Sequence, residues 1–137
     1  MDEKKKKILV VDDEKVIADM IKNILESNGD FEVITADLGR LGLKEFQDAI
    51  ESNNNFDLVI SDIIMPGGIL GTDVAEKIHE IDPDMPIVLI SGYPGDGEDK
   101  VFDLSNKGVI KDFIKKPFSV IPFLNKIKKV LGLSPQE

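Results

Sequence analysis

The chain has no cysteine and a single histidine among its 137 residues. The lack of thiols excludes disulfide bonds, thiolate metal sites and a cysteine nucleophile, and it fits a reducing compartment. The formal net charge of −9 is opposite in sign to that of a protein that neutralises phosphates, so we expect no direct nucleic-acid binding. No apolar run approaches the ~20 residues that a membrane-spanning helix needs. We therefore expect a cytoplasmic protein without membrane contact.

The length and composition suit one ordinary globular domain. Apolar residues make up 42% of the chain and charged residues 31%, values that separate it from disordered chains. We find no internal repeat, linker or low-complexity segment. The sequence therefore predicts a single domain over residues 1–137, with its core in about residues 7–132.

Short apolar, β-branched runs alternate with longer segments in which apolar residues recur at helical spacing. The predicted strands are Ile8–Val11, Phe31–Ala36, Phe56–Ile60, Pro86–Ile90 and Val109–Ile114. Thr72 and Ser119 are the predicted N-caps of the third and fifth helices. Strands without polar alternation, each followed by a helix, indicate a parallel sheet covered on both faces. Because its crossovers are right-handed, we predict a doubly wound α/β sandwich.

Polar side chains follow four of the five predicted strands. Asp12 and Asp13 follow the first strand, Asp62 the third, Ser91 the fourth and Lys116 the fifth. Taken alone, each is more often a cap, turn or surface residue. Together they lie at the carboxyl edge of the sheet, where open parallel sheets bind ligands. We therefore predict a functional site at this edge.

Three carboxylates in one crevice repel one another, and a cation relieves that repulsion. Oxygen ligands without histidine or cysteine favour a hard ion, and a small hydrated site suits Mg²⁺. A cation beside a carboxylate prepares it to accept a phosphoryl group, because that transfer depends on positioning and charge neutralisation. Lys116 and the hydroxyl of Ser91 would then bind phosphoryl oxygens.

Four strings in the chain carry a family resemblance. They are Ile8–Glu14, Asp57–Pro66, Pro86–Gly92 and Lys116–Phe118. In this order and at these intervals, they resemble the receiver domains of bacterial response regulators, over about Lys7 to Gly132. The resemblance implies a flavodoxin-like (βα)5 three-layer sandwich with a five-stranded parallel sheet in the order 2-1-3-4-5.

The resemblance also implies the roles of the site residues. Asp62 would be the phosphoacceptor, and Asp13, Asp62 and the backbone carbonyl of Ile64 would hold Mg²⁺, with Asp12 acting mainly through water. Ser91 resembles the family's switch hydroxyl. Two further features of the family pattern are Phe113, which resembles the switch aromatic, and the Lys116-Pro117 bond, a candidate cis peptide bond.

In the family, a histidine kinase or phosphotransfer domain supplies the phosphoryl group. The face formed by helix 4, strand 5 and helix 5 docks a downstream effector, and it can also pair two copies through helices 4 and 5. The resemblance thus implies a signalling module, not an enzyme acting on other substrates. His79 is predicted to lie on a solvated helix face, so we expect the phosphodonor histidine elsewhere.

Two other functions remain open at this stage. An aspartyl phosphohydrolase of the haloacid-dehalogenase class would want an acid two residues after its nucleophile, where this chain has Ile64. A module of the same fold that is never phosphorylated would not need the whole set of polar residues. The sequence also leaves open whether the receiver is free-standing or part of a hybrid sensor kinase or a larger regulator.

A slow loss of the phosphoryl group is predicted from Ile64 and Tyr93, each two residues past a site residue. Neither side chain can orient an attacking water, and both can shield an acyl phosphate. Ile64→Asn should therefore shorten the lifetime of the phosphoryl group. The decay of phosphorylated protein over time measures that lifetime. An unchanged lifetime would contradict the shielding hypothesis.

Overall fold

The structure, a computed structural model, describes residues 5–29, 31–63, 70–92 and 98–134, apart from the side chain of Glu98. Five strands alternate with five helices along the chain. The strands are β1 (Lys6–Val11), β2 (Phe31–Ala36), β3 (Leu58–Asp62), β4 (Ile87–Ser91) and β5 (Asp112–Lys115). The helices are α1 (Lys15–Ser27), α2 (Gly39–Glu51), α3 (Gly71–Ile81), α4 (Glu98–Asn106) and α5 (Val120–Val130).

All strand pairs are parallel, and the strand order is β2-β1-β3-β4-β5. The predicted fold class is thereby confirmed. The order reverses direction after β1, so β1 and β3 are the strands between which a crevice opens at the carboxyl edge. Val11 pairs with Ser61, and Asp62 pairs with Ile90. This register brings the residues that follow β1 close to the end of β3.

The sheet has a hydrophobic core on each face because its strands are apolar on both sides. Leu9 and Val11 belong to a cluster with residues of α2, α3 and α4. Ile8 and Val10 belong to a second cluster, with residues of α1 and α5. Fully burying one such side chain contributes about 1.5–3 kcal/mol, so these strand residues anchor a rigid edge for the site.

Several predicted boundaries differ from the structure by one or more residues. Tertiary contacts explain two of these differences, at the start of α3 and at the start of β5. α3 begins at Gly71 with Leu70 as its N-cap, and Thr72 lies buried in the first turn. Asp73 accepts the hydrogen bond from the Leu70 N–H at 3.1 Å, the interaction expected near a cap. Val109 is buried, but it precedes β5 because its N–H bonds the carbonyl of Leu104 at the end of α4.

Gly71 is a position at which a side chain would force the neighbouring backbone to shift. Its N–H donates to the Ile63 carbonyl at 2.7 Å, and a Cβ placed on it would collide with the carbonyl oxygen of Asp62. The first residue of α3 thus packs directly on the backbone that carries the Asp62 side chain.

Gly71→Ala should lower the free energy of unfolding by about 1–3 kcal/mol, because the added methyl group overlaps a backbone atom that cannot rotate away. Urea unfolding followed by far-UV circular dichroism measures the change. Gly92→Ala is the matched control, since the nearest heavy atoms to its added Cβ lie 3.8 Å away, in Lys116. We expect that control to stay within about 0.5 kcal/mol of wild type. Equal losses in both variants would rule out the contact as the cause.

Candidate functional site

Asp62 is the last residue of β3, and its side chain is almost entirely buried. One carboxylate oxygen, Oδ1, accepts a hydrogen bond from the Ile63 N–H at 2.9 Å. The other, Oδ2, lies 3.3 Å from the Lys116 ammonium nitrogen. A buried carboxylate is therefore held at the sheet edge by one backbone donor and one cation.

Asp12 and Asp13 follow β1 directly, and they differ in exposure. Asp12 is buried, its N–H donates to the Ala36 carbonyl at 3.0 Å, and its Oδ1 accepts the Glu14 N–H at 2.9 Å. Asp13 is exposed. The backbone of β1 and the first residues after it fix the Asp12 carboxylate beside Asp62, while Asp13 faces solvent.

Lys116 lies between the carboxylates. Its Nζ is 3.1 Å from Asp12 Oδ2, 3.3 Å from Asp62 Oδ2 and 3.6 Å from Glu14 Oε1. Its N–H donates to the Ser91 carbonyl at 2.7 Å, which ties the end of β5 to the end of β4. The peptide bond from Lys116 to Pro117 is cis, as predicted.

Ser91 lies on β4, next to β3, and Phe113 lies on β5, on the other side of β4. Ser91 is the last residue of β4 and is buried. Phe113 is half-buried and packs against the core cluster of α2, α3 and α4. Ile64, predicted to offer its carbonyl to the cation, lies outside the described residues, as does Tyr93.

The electrostatics follow from this geometry. Burial raises the pKa of Asp62 to about 6; the Lys116 charge opposes that shift and the neighbouring Asp12 adds to it. Burial alone would lower the pKa of Lys116, but the charges and hydrogen bonds of Asp62 and Asp12 outweigh it, so that pKa is raised. The ammonium is the internal counter-ion of the buried carboxylates.

The acidic residues fit a divalent cation. Asp12, Asp13 and Asp62 can each offer one carboxylate oxygen within 4.8 Å of the others. All three donors are oxygens, and one residue is open to solvent, which suits a hard ion that keeps part of its water shell. The charge of a divalent cation would favour the ionised form of Asp62, whose pKa burial raises.

The sequence does not predict the contact of Glu14 with Lys116, and the predicted exposure of His79 is wrong. Glu14 belongs to the Asp12-Asp13-Glu14 string, but only the structure brings its carboxylate toward Lys116. His79 was expected on a solvated face, yet it is half-buried, and its Nδ1 is buried without a hydrogen-bond partner among the described residues. It lies in the last turn of α3, whose first turn adjoins Asp62, so it is remote from the carboxylates.

Comparison with known sequences assigns this fold to a family. A family model described as the response regulator receiver domain matches residues 8–128. The chain therefore belongs to the response regulator receiver domain family, whose members act in two-component signal transduction. The resemblance found in the four sequence strings is thus confirmed.

Three proteins illustrate what this chain is similar to. The chemotaxis protein CheY of Thermotoga maritima is 32% identical over 128 residues, covering 90% of this chain and 98% of that protein. The CheY-like receiver domain protein of Methanospirillum hungatei is 35% identical in its crystal structure, with a TM-score of 0.79 and coverage of 93% and 94% of the two chains. The histidine kinase P4 of Formosa agariphila is 32% identical over 137 residues.

Many matching relatives are much longer than this chain. The chain spans 9% of histidine kinase P4, 25% of the Pseudomonas aeruginosa regulator DctD and 44% of the Staphylococcus epidermidis regulator SaeR. The same module therefore occurs both nearly alone and inside larger proteins. Among the described residues, none of the helices has the length and apolar character needed to cross a bilayer.

The raised pKa of Asp62 predicts a pH-dependent stability when divalent cations are removed with EDTA. A carboxyl group with a higher pKa in the folded state binds protons more tightly there, so stability falls as the pH rises from 3.8 to about 6. Asp62→Asn abolishes this titration. Its stability relative to wild type should therefore increase by about 1–2 kcal/mol between about pH 4 and about pH 7.

Urea unfolding at the two pH values measures this difference. The part of the difference in free energy of unfolding that varies with pH reports the titration of Asp62. A part that is the same at both pH values reports the lost ion pair with Lys116. Asp48→Asn, which removes an exposed carboxylate on α2, controls for net charge. A difference between wild type and Asp62→Asn that stays constant over this pH range would contradict the prediction.

Proposed function

We propose that Asp62 is the phosphoacceptor of this receiver domain. The observation that carries the proposal is a buried carboxylate, held by the Ile63 N–H and placed beside the Lys116 ammonium and two further acids. Such a group is fixed in position, and positive charge beside it can offset the charge of an incoming phosphoryl group.

The transfer moves a phosphoryl group from a phosphohistidine to a carboxylate oxygen of Asp62. The P–N bond breaks, a P–O bond forms, and the leaving imidazole nitrogen takes up a proton. Lys116 is already within hydrogen-bond distance of Asp62 Oδ2, so its ammonium can follow the new phosphoryl oxygens with a small movement. The product is an acyl phosphate on the protein itself.

Asp12, Asp13, Asp62 and the backbone carbonyl of Ile64 are the proposed Mg²⁺ ligands, with Asp12 acting mainly through water. The three carboxylates support this, because their oxygens come within 4.8 Å of one another. The ion would supply positive charge at the transferring phosphoryl group. Asp12 fixes the position of Lys116, and Asp13 presents its carboxylate from the solvent side.

Ser91 and Phe113 are the proposed switch residues. Ser91 ends the strand next to Asp62, so its hydroxyl is suited to bind a phosphoryl oxygen. Movement of Ser91 would open space for Phe113, which is half-buried on the adjacent strand. Ser91 and Phe113 would thus have two arrangements in equilibrium. The phosphoryl group would shift this equilibrium by the difference between its binding free energies for the two arrangements.

The face of α4, β5 and α5 is the proposed output surface. Phe102 on α4 is 69% exposed, and Val120 and Ile121 at the start of α5 are also exposed. Exposed large apolar side chains on these two helices are of the kind that a protein partner covers. We propose that this face docks a downstream effector or a second copy.

Two further proposals concern the donor and the extent of the domain. A histidine kinase or phosphotransfer domain supplies the phosphoryl group. The chain forms a single domain, with its core in about residues 7–132.

Intact mass after incubation with acetyl phosphate and Mg²⁺ tests the phosphoacceptor. Wild type and Asp48→Asn should each gain one phosphoryl group, whereas Asp62→Asn should gain none, because it lacks the nucleophilic oxygen. The gain should be lost in EDTA and on treatment with hydroxylamine, which cleaves acyl phosphates.

Three outcomes would contradict the proposal. Labelling of Asp62→Asn to the wild-type level would place the phosphoryl group on another residue. Steady turnover of a phosphomonoester without labelled protein would favour the phosphohydrolase. Absence of both labelling and Mg²⁺ binding would favour an interaction module that is never phosphorylated.

A further inference from the structure

Lys116 has a third acidic neighbour, Glu14, that the proposed phosphoryl chemistry does not use. The Glu14 carboxylate lies 3.6 Å from Lys116 Nζ and is 62% exposed, whereas the other two acceptors of Lys116 are buried. At 3.6 Å the two groups form an ion pair but not a hydrogen bond. Glu14 therefore holds the ammonium loosely, at the solvent side of the site.

Hydrogen bonds hold the backbone of Glu14, whereas its exposed side chain makes no capping hydrogen bond. Its N–H donates to Asp12 Oδ1 at 2.9 Å, and its carbonyl accepts the Ala18 N–H at 3.0 Å at the start of α1. It is the N-cap residue of α1, but its side chain makes no capping hydrogen bond. The carboxylate is thus anchored beside Asp12 and remains available to a cation.

A divalent cation and the Lys116 ammonium compete for the same carboxylates. Lys116 binds Asp12 and Asp62, two of the three acids that can hold a metal ion. A metal ion bound there repels the ammonium and withdraws its acceptors, so Lys116 must find another partner or enter solvent. A small movement toward Glu14 would convert the loose pair into a hydrogen-bonded one.

We propose that Glu14 is a positioning residue that receives the Lys116 ammonium when a divalent cation occupies the Asp12–Asp13–Asp62 site. This inference rests on the proposed Mg²⁺ site. Because the pair tightens only when the metal ion is bound, Glu14 favours the metal-bound state. It also keeps Lys116 at the mouth of the site, within reach of an arriving phosphoryl group.

A double-mutant cycle on Mg²⁺ affinity tests the proposal. Isothermal titration calorimetry compares wild type, Glu14→Gln, Lys116→Met and the double variant. Glu14→Gln should weaken Mg²⁺ binding roughly fivefold when Lys116 is present and less than about twofold in the Lys116→Met background. Equal weakening in both backgrounds would show that Glu14 acts only as a general negative charge, and would overturn the proposal.

Two further variants separate position from charge. Glu14→Asp keeps the charge, shortens the side chain by one methylene and places a favourable N-cap residue at the start of α1. It should weaken Mg²⁺ binding nearly as much as Glu14→Gln, and wild-type affinity would overturn the proposal. Asp19→Asn, at an exposed position of α1, is the charge control and should change affinity less than about twofold.

The outcomes distinguish this inference from the proposed function. If wild type binds no Mg²⁺, both the metal site and the role of Glu14 are wrong. If wild type binds Mg²⁺ and is phosphorylated on Asp62, but the cycle shows no coupling, only the role of Glu14 is wrong. Circular dichroism of every variant excludes misfolding, and the Glu14→Asp comparison remains decisive if Lys116→Met does not fold.

Discussion

The pairing of the Lys116 ammonium with buried Asp62 and Asp12 is the interaction on which the site depends. Two carboxylates at the end of a parallel sheet would repel each other, and their burial increases the cost. The ammonium provides the opposing charge from within the chain. The site can therefore be assembled before any external cation binds, and it retains carboxylates that a cation can use.

That pairing requires the strand order of the sheet. Asp12 follows β1, Asp62 ends β3, and Lys116 follows β5, positions that are far apart in the sequence. β1 lies next to β3, and β4 carries the Ser91 carbonyl that fixes the Lys116 backbone. The apolar strand residues on both faces stabilise this arrangement, so the core determines the distances within the site.

The sequence predicts most of the fold because its central strands are largely apolar and its helices have a clear apolar spacing. Phe31–Ala36 was predicted with the bounds that the structure has. The start of α3 was not predictable from local pattern, since it depends on contact between Gly71 and the Asp62 backbone. Lys116 and Asp62 were predicted to meet from strand ends alone, whereas the approach of Glu14 depends on a side-chain conformation.

The choice of lysine as the internal counter-ion matters for a site in which one ammonium is shared by several carboxylates. An arginine would offer a planar fork suited to one fixed, bidentate partner, whereas lysine has a compact charge on a flexible stem. Lys116 already has three carboxylate neighbours at 3.1, 3.3 and 3.6 Å, so small movements exchange one partner for another. A buried acid, a movable ammonium and an exposed acid at the rim would together let the site accommodate the proposed metal ion and phosphoryl group without a rearrangement of the sheet that holds it.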